Sequence, residues 1–109
     1  MATTLKILGQ AAPAATTETD LYTCPASTTT VVSTVVVANR SATAATFRIS
    51  ASVDGAATAT KDYLAYDVPL NGNETMAFTL GITIDASDKL RVYASTANLS
   101  FSAFGQENT

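Results

Sequence analysis

The sequence has 109 residues, six basic and nine acidic side chains, no histidine, no tryptophan and one cysteine, and its net charge is −3. Because nucleic-acid surfaces need clustered Lys and Arg, this sparse charge argues against a nucleic-acid partner. Histidine supplies most general bases at neutral pH, so its absence argues against an enzyme, and no cofactor is expected.

Residues 1–19 predict an N-terminal strand or arm followed by a connector. Leu5, Ile7 and Leu8 form a short apolar segment, and residues 11–19 are rich in Ala, Pro and Thr, which favours an extended connector. The apolar segment would pack on a neighbouring subunit or on the chain's own sheet. This start does not resemble an export signal, and no apolar run is long enough to cross a membrane.

Residues 20–109 predict a single antiparallel β-sandwich of about seven or eight short strands, jelly-roll-like or immunoglobulin-like. Apolar and polar residues alternate with a period of two between turn clusters, and no segment shows a helical stripe. In chain order, and with the first segment included, the candidate strands are 5–8, 20–23, 30–38, 46–53, 61–68, 76–83, 89–94 and 99–103.

The candidate strand 30–38 differs from the others because its five valines leave neither face polar. This pattern predicts a central strand that is covered on both sides. Asp54-Gly55 and Asn71-Gly72 tolerate positive φ, and they predict tight hairpin turns.

Few residues suggest chemistry. Asp85 and Asp88 bracket a turn and, with Asp62, Asp67 or Glu74, could offer oxygen ligands to Ca²⁺. Because no D-x-D-x-D-G loop is present, turn-forming carboxylates are the favoured interpretation, and no metal site is predicted. Cys24 is interpreted as a small buried residue. A single cysteine cannot form a disulfide within the chain, which fits a protein made in a reducing cytoplasm. Three glycosylation sequons, attributed to abundant Ser and Thr, begin at Asn39, Asn73 and Asn98.

Aromatic residues complete the candidate contact sites. Four tyrosines could stack on a sugar or base, or lie at the edge of the core with a hydroxyl in contact with water, namely Tyr22, Tyr63, Tyr66 and Tyr93. Phe104 does not follow the alternation of Leu99, Phe101 and Ala103, so it is predicted to lie on the polar face of the last strand. Phe101 is interpreted mainly as a core residue. The candidates for a partner or subunit interface are Leu5, Ile7, Leu8, Tyr63, Tyr66, Phe101 and Phe104.

Several strings resemble small virion structural proteins of tailed bacteriophages, including those of cyanobacteria. They are VVSTVVVANRS at 31–41, TFRI at 46–49, KDYL at 61–64, LGITI at 80–84 and LSFSAFG at 99–105. The resemblance covers most of the chain from about residue 21. The closing segment is also similar in outline to the last strands of trimeric jelly rolls of the tumour-necrosis-factor type.

The phage resemblance implies a structural part of the particle, commonly a capsid cement or decoration protein. Such a protein would be made in the host cytoplasm and would bind the major capsid protein on the outer capsid surface, without a membrane. Three-fold sites on a shell would favour a homotrimer. Two alternatives stay open, namely a tail, neck or fibre module and a carbohydrate- or host-receptor-binding β-sandwich.

Overall fold

A computed structural model describes residues 2–109, which form two β-sheets packed face to face. The strands in these residues are β1 (Thr3–Ala11), β2 (Thr19–Thr23), β3 (Thr29–Asn39), β4 (Ala45–Ser52), β5 (Tyr63–Leu70), β6 (Thr75–Phe78), β7 (Ile82–Ile84), β8 (Lys89–Ala94) and β9 (Leu99–Asn108). Short 3-10 turns at Val53–Gly55 and Thr60–Asp62 lie between β4 and β5. The predicted all-β sandwich is therefore confirmed.

The strand order is that of a jelly roll. One sheet has the order β1-β9-β3-β6 with β7 also paired to β3, and the other has the order β2-β8-β4-β5; every pairing is antiparallel. When β6 and β7 are counted as one interrupted strand, the chain changes sheet at every connection except β4 to β5. This is the double Greek-key winding of the jelly roll, one of the two predicted sandwich types.

The described residues hold nine strands rather than seven or eight, because the predicted strand 76–83 is broken. Its two parts both pair with β3, β6 along residues 35–38 and β7 along residues 30–32. Gly81, with a φ of 64°, lies in the break. Glycine adopts this left-handed conformation without the steric cost of a side chain.

The core lies between the sheets and follows the predicted alternation. In β8, Leu90, Val92 and Ala94 are buried, while the residues between them are only partly buried. Phe47 of β4 is fully buried, and its ring meets Phe101 of the opposite sheet edge-to-face at a centroid distance of 6.1 Å. Such contacts between large aromatic rings fix the two sheets against each other.

The valine-rich strand β3 is central in its sheet, as predicted, but only one of its faces is covered within residues 2–109. Val32, Val35 and Val37 are at most 1% exposed and point into the core. Val31 and Val36 lie on the opposite face and are only partly buried. The second sheet covers the inner face, and no other described element covers the outer one.

The two tight hairpin predictions are wrong. Asp54 and Gly55 do have positive φ, of 55° and 68°, but they lie in a longer β4–β5 connection that includes both 3-10 turns. Asn71-Gly72 lies on a passage between the sheets, since β5 and β6 belong to different sheets. A local turn signal does not specify which strands the turn will join.

Candidate assembly surface

The outer face of the five-stranded sheet carries an apolar group that we call the outer patch, defined as Leu5, Ile7, Val31, Val36 and Phe104. Strand register brings them together: Ile7 pairs with Phe104, and Leu5 pairs with a β9 residue that itself pairs with Val31. Leu5 is 77% exposed and Ile7 is 53% exposed. Exposed apolar side chains grouped on one face are typical of an interaction site.

The face around the outer patch carries no charge. The positions that share it include Gln10, Thr34, Ala38, Ser100, Ser102 and Gln106. Among residues 2–109, none of the outward-pointing residues paired in this sheet is ionisable. A partner can therefore bury this face without removing a charge from water, which is the most expensive form of desolvation.

Two β-bulges set the orientation of the patch around Phe104. Leu8 is the extra residue in β1 and Ser33 the extra residue in β3, so Phe104 has an irregular strand on either side. The Ser33 hydroxyl donates to the Phe104 carbonyl oxygen over 3.0 Å. Bulges of this kind redirect side chains, and here Leu8 turns into the core at 9% exposure while Ile7 stays outside.

The outer face of the other sheet has the opposite character, because it is aromatic and charged. The guanidinium carbon of Arg48 lies 4.3 Å from the ring centroids of both Tyr66 and Tyr93. Its Nε donates to Asp67 over 2.7 Å, and this hydrogen bond raises the pKa of Arg48 above its ordinary value. Cation–π contacts on two rings hold the side chains in fixed positions.

Tyr63 and Tyr66, two of the predicted contact residues, pack edge-to-face at a centroid distance of 4.8 Å. Together with Thr60 they line a shallow cavity of about 310 Å³. Aromatic walls with a hydroxyl nearby are typical of small-ligand sites. This is the second candidate site, and it lies on the sheet that does not carry the outer patch.

The seven predicted contact residues therefore fall into three places. Leu5, Ile7 and Phe104 share the outer face of one sheet, and the tyrosine pair lies on the other. Leu8 and Phe101 lie in this chain's own core, at 9% and 1% exposure. Val31 and Val36 are surface residues that the prediction missed, although the two-sided valine run signalled them.

A partly buried polar network joins the end of β9 to three other strands. The Tyr22 hydroxyl donates to Glu107 over 2.5 Å and lies 2.8 Å from the Thr30 hydroxyl, while Lys6 Nζ donates to Glu107 over 3.2 Å. The hydrogen bond from Tyr22 and the Lys6 charge lower the pKa of Glu107. Burial and the neighbouring carboxylate raise the pKa of Tyr22. The network therefore links β1, β3 and β9 of the five-stranded sheet to β2 of the other sheet.

The carboxylates considered for Ca²⁺ have structural partners. Asp88 accepts hydrogen bonds from the backbone N–H groups of Asp54 and Asp85, at 2.8 and 2.9 Å. Within residues 2–109, no group of three or more Cys, Asp or Glu is placed to hold a metal ion. No helix in the same range is long and apolar enough to cross a bilayer.

Two other sequence features have structural explanations. Cys24 is buried at 2% exposure, as predicted, and its Sγ lies 3.2 Å from the Thr30 hydroxyl. Asn39, the first residue of one sequon, is buried, and its amide nitrogen donates to the Thr43 carbonyl over 2.9 Å. A glycan could not be attached to this nitrogen without disrupting the fold.

No protein-family model matches the sequence, and no curated protein sequence matches it. Among solved structures, the chain is similar to a chain in the structure of infectious bursal disease virus, Gx strain, with a TM-score of 0.58, 16% identity and 97% of this chain covered. It is also similar to a chain in the crystal structure of the T13 particle of that virus, with a TM-score of 0.53 and 16% identity over 96% of this chain.

The chain spans about a third of the length of those two proteins, 32% and 30%. A pentameric capsid protein isolated from metagenomic phage sequences matches over 94% of this chain with 18% identity, but its TM-score of 0.43 is too low to support an inference. At 16% identity, the first two matches establish a shared fold: this chain has a β-sandwich of the kind found within chains of an icosahedral virus particle.

Proposed function

We propose that this chain is a structural virion protein of a tailed bacteriophage, that it binds the outer capsid surface and stabilises the shell, and that it catalyses no reaction. The outer patch is the observation that carries the proposal. The jelly-roll winding supports it, because viral capsid domains often have this fold, and so do the fold shared with the virus-particle chains and the phage resemblance of the sequence.

The mechanism is burial of the outer patch against the major capsid protein, across a joint between its subunits. Leu5 and Ile7 would be transferred from water into apolar contact with the capsid. Because the surrounding residues are uncharged, the free-energy cost of removing them from water would be low. A protein that binds only the assembled shell shifts the equilibrium toward assembly. At a free concentration of 100 times the Kd, each occupied site adds about 2.7 kcal/mol.

The oligomeric form that fits this role is a homotrimer placed at the three-fold positions of the shell. Closed rings leave no unsatisfied interface. A trimer would also present three outer patches at once, and simultaneous contacts strengthen binding well beyond that of one copy.

The binding experiment is co-sedimentation of the purified chain with empty shells of the virus that encodes it. Ile7→Lys and Phe104→Lys place a charge in the outer patch and should weaken binding at least tenfold, because the charge must be desolvated. Val53→Lys is the matched control, since Val53 is 64% exposed and lies in the β4–β5 connection away from the patch. Equal binding by all three variants would exclude the outer patch as the capsid contact.

A carbohydrate- or receptor-binding role is the second candidate, supported by the cavity at Tyr63 and Tyr66. Lectin domains also use jelly rolls, so the fold fits either role. A glycan array with the wild-type chain tests it directly: specific binding that Tyr66→Ala abolishes and Leu64→Ala preserves would favour this role. A tail, neck or fibre module is a third use of the same fold, distinguished by its location in the particle.

A further inference from the structure

The outer edge of β1 exposes backbone groups that no described strand pairs with. β1 is the last strand of its sheet and pairs only with β9 among residues 2–109. Ala2 and Thr109 exchange two backbone hydrogen bonds, of 3.0 and 2.8 Å. Because antiparallel strands alternate bonded and non-bonded positions, Thr4 and Lys6 point their N–H and C=O groups toward β9. Thr3, Leu5 and Ile7 must point theirs outward.

The other sheet edges are short or interrupted in ways that discourage pairing. β2 has five residues. β5 contains Pro69, a positive φ at Asp67 and two register shifts against β4. The edge made by β6 and β7 is broken between them. Natural proteins protect edges by such means. The outward part of β1 has no proline, and its one charged side chain, Lys6, is bonded to Glu107.

We propose that a second copy of this chain pairs with this edge, β1 against β1 in antiparallel orientation, about a two-fold axis at Leu5. In this register Leu5 lies opposite Leu5 of the second copy, and Thr3 lies opposite its Ile7. Each of these pairs exchanges two backbone hydrogen bonds, so the outward groups of all three residues are satisfied. The same patch serves both copies, as a two-fold interface requires.

The side chains fit this register. The two Leu5 side chains, each 77% exposed in the single chain, become neighbours on the uncharged outer face. Lys6 lies opposite Thr4 of the second copy rather than opposite the other Lys6. The pairing therefore avoids placing like charges directly opposite each other, an arrangement that would destabilise it. The two five-stranded sheets become one continuous sheet, and the two outer patches become one larger surface.

This pairing goes beyond capsid binding and does not depend on it. If the chain forms a homotrimer through other surfaces, the β1 edges stay free, and their pairing would join two trimers into a hexamer. The mass of the isolated chain in solution therefore tests the pairing separately from any particle-binding experiment.

The test is sedimentation equilibrium of Leu5→Lys and Leu5→Glu, alone and mixed in equal amounts. Alone, each places like charges opposite each other at the two-fold axis, and the mass should fall to half that of the wild type. The equimolar mixture should regain the wild-type mass, because Lys then lies opposite Glu. Leu80→Lys is the control, since Leu80 is 54% exposed and lies at the opposite edge.

Circular dichroism should show that both position-5 variants keep the wild-type fold, as expected for a site so exposed. A wild-type mass that corresponds to an odd number of copies, such as a monomer or a single trimer, would overturn the proposal. Two variants that stay at half mass when mixed would overturn the register at Leu5. A wild-type mass kept by both variants alone would overturn the β1 contact itself.

Discussion

At the scale of single residues, Glu107 is the most consequential polar side chain. Its carboxylate accepts hydrogen bonds from Tyr22 and from Lys6, so it joins β9 to β2 and β1. Its side chain is only 14% exposed. An ionised group in such a place is stabilising only while its donors are present.

The lowered pKa of Glu107 predicts acid sensitivity. The folded-state pKa lies below the unfolded value, so this carboxylate contributes stability above the unfolded pKa of about 4.3 and loses it as pH falls through the folded-state pKa. Glu107→Gln should cost about 1–3 kcal/mol near pH 7, and the difference from the wild type should shrink near pH 3. Urea unfolding at both pH values measures it; a cost that is unchanged at low pH would contradict the account.

The two phenylalanines of β9 should contribute very differently to the stability of the fold. Phe101→Ala removes a fully buried ring that contacts Phe47 and should cost about 3–5 kcal/mol. Phe104→Ala alters the outer face and should cost about 1 kcal/mol or less in the isolated chain. Thermal unfolding measures both variants. Equal costs would contradict the placement of Phe104 on the outer face of its sheet.

At the scale of elements, β1 is held at its far end by a close approach to β2. A Cβ built on Gly9 would lie 2.0 Å from the Leu21 carbonyl oxygen, a backbone atom that cannot easily move aside. The bulge at Leu8 and the missing side chain of Gly9 together let β1 run close to β2 of the other sheet. The first half of β1 stays at the sheet edge with its side chains exposed.

Gly9→Ala should therefore destabilise the fold by about 1–3 kcal/mol through steric conflict. Gly81→Ala is the matched control, because no atom lies within 4 Å of its added Cβ and only its positive φ of 64° opposes the change. That conformation costs about 1 kcal/mol for an alanine. Chemical denaturation of both variants gives the comparison, and a smaller loss for Gly9→Ala would contradict the close approach.

Strands with clean alternation were predictable from the sequence, as β8 and β9 show. The break at Gly81 and the bulges at Leu8 and Ser33 were not, because they arise from pairing with strands distant in the chain. The same holds for Arg48, whose position between Tyr66 and Tyr93 depends on the register of β4 with both neighbours. The alternation of apolar and polar residues along a strand predicts which face is buried. It does not predict which side chains of the neighbouring strands lie beside it.

At the scale of the whole molecule, the sandwich has two outer faces of different chemistry. One is neutral and carries the outer patch, and the other carries ion pairs such as Arg48 with Asp67 and Lys89 with Asp20. Three of the seven predicted contact residues were brought to the neutral face by register. The valine run of β3 predicted two covered faces, whereas Val31 and Val36 lie on an outer face that is uncovered within residues 2–109.

Cryo-electron microscopy of intact particles is the direct test of the proposed capsid binding. Binding through the outer patch predicts density for this sandwich on the outer surface of the shell, above joints between major capsid subunits. The five-stranded sheet should be turned toward the capsid and the Arg48 face toward solvent. Density confined to the tail, neck or fibres, or a capsid contact made through the four-stranded sheet, would contradict it.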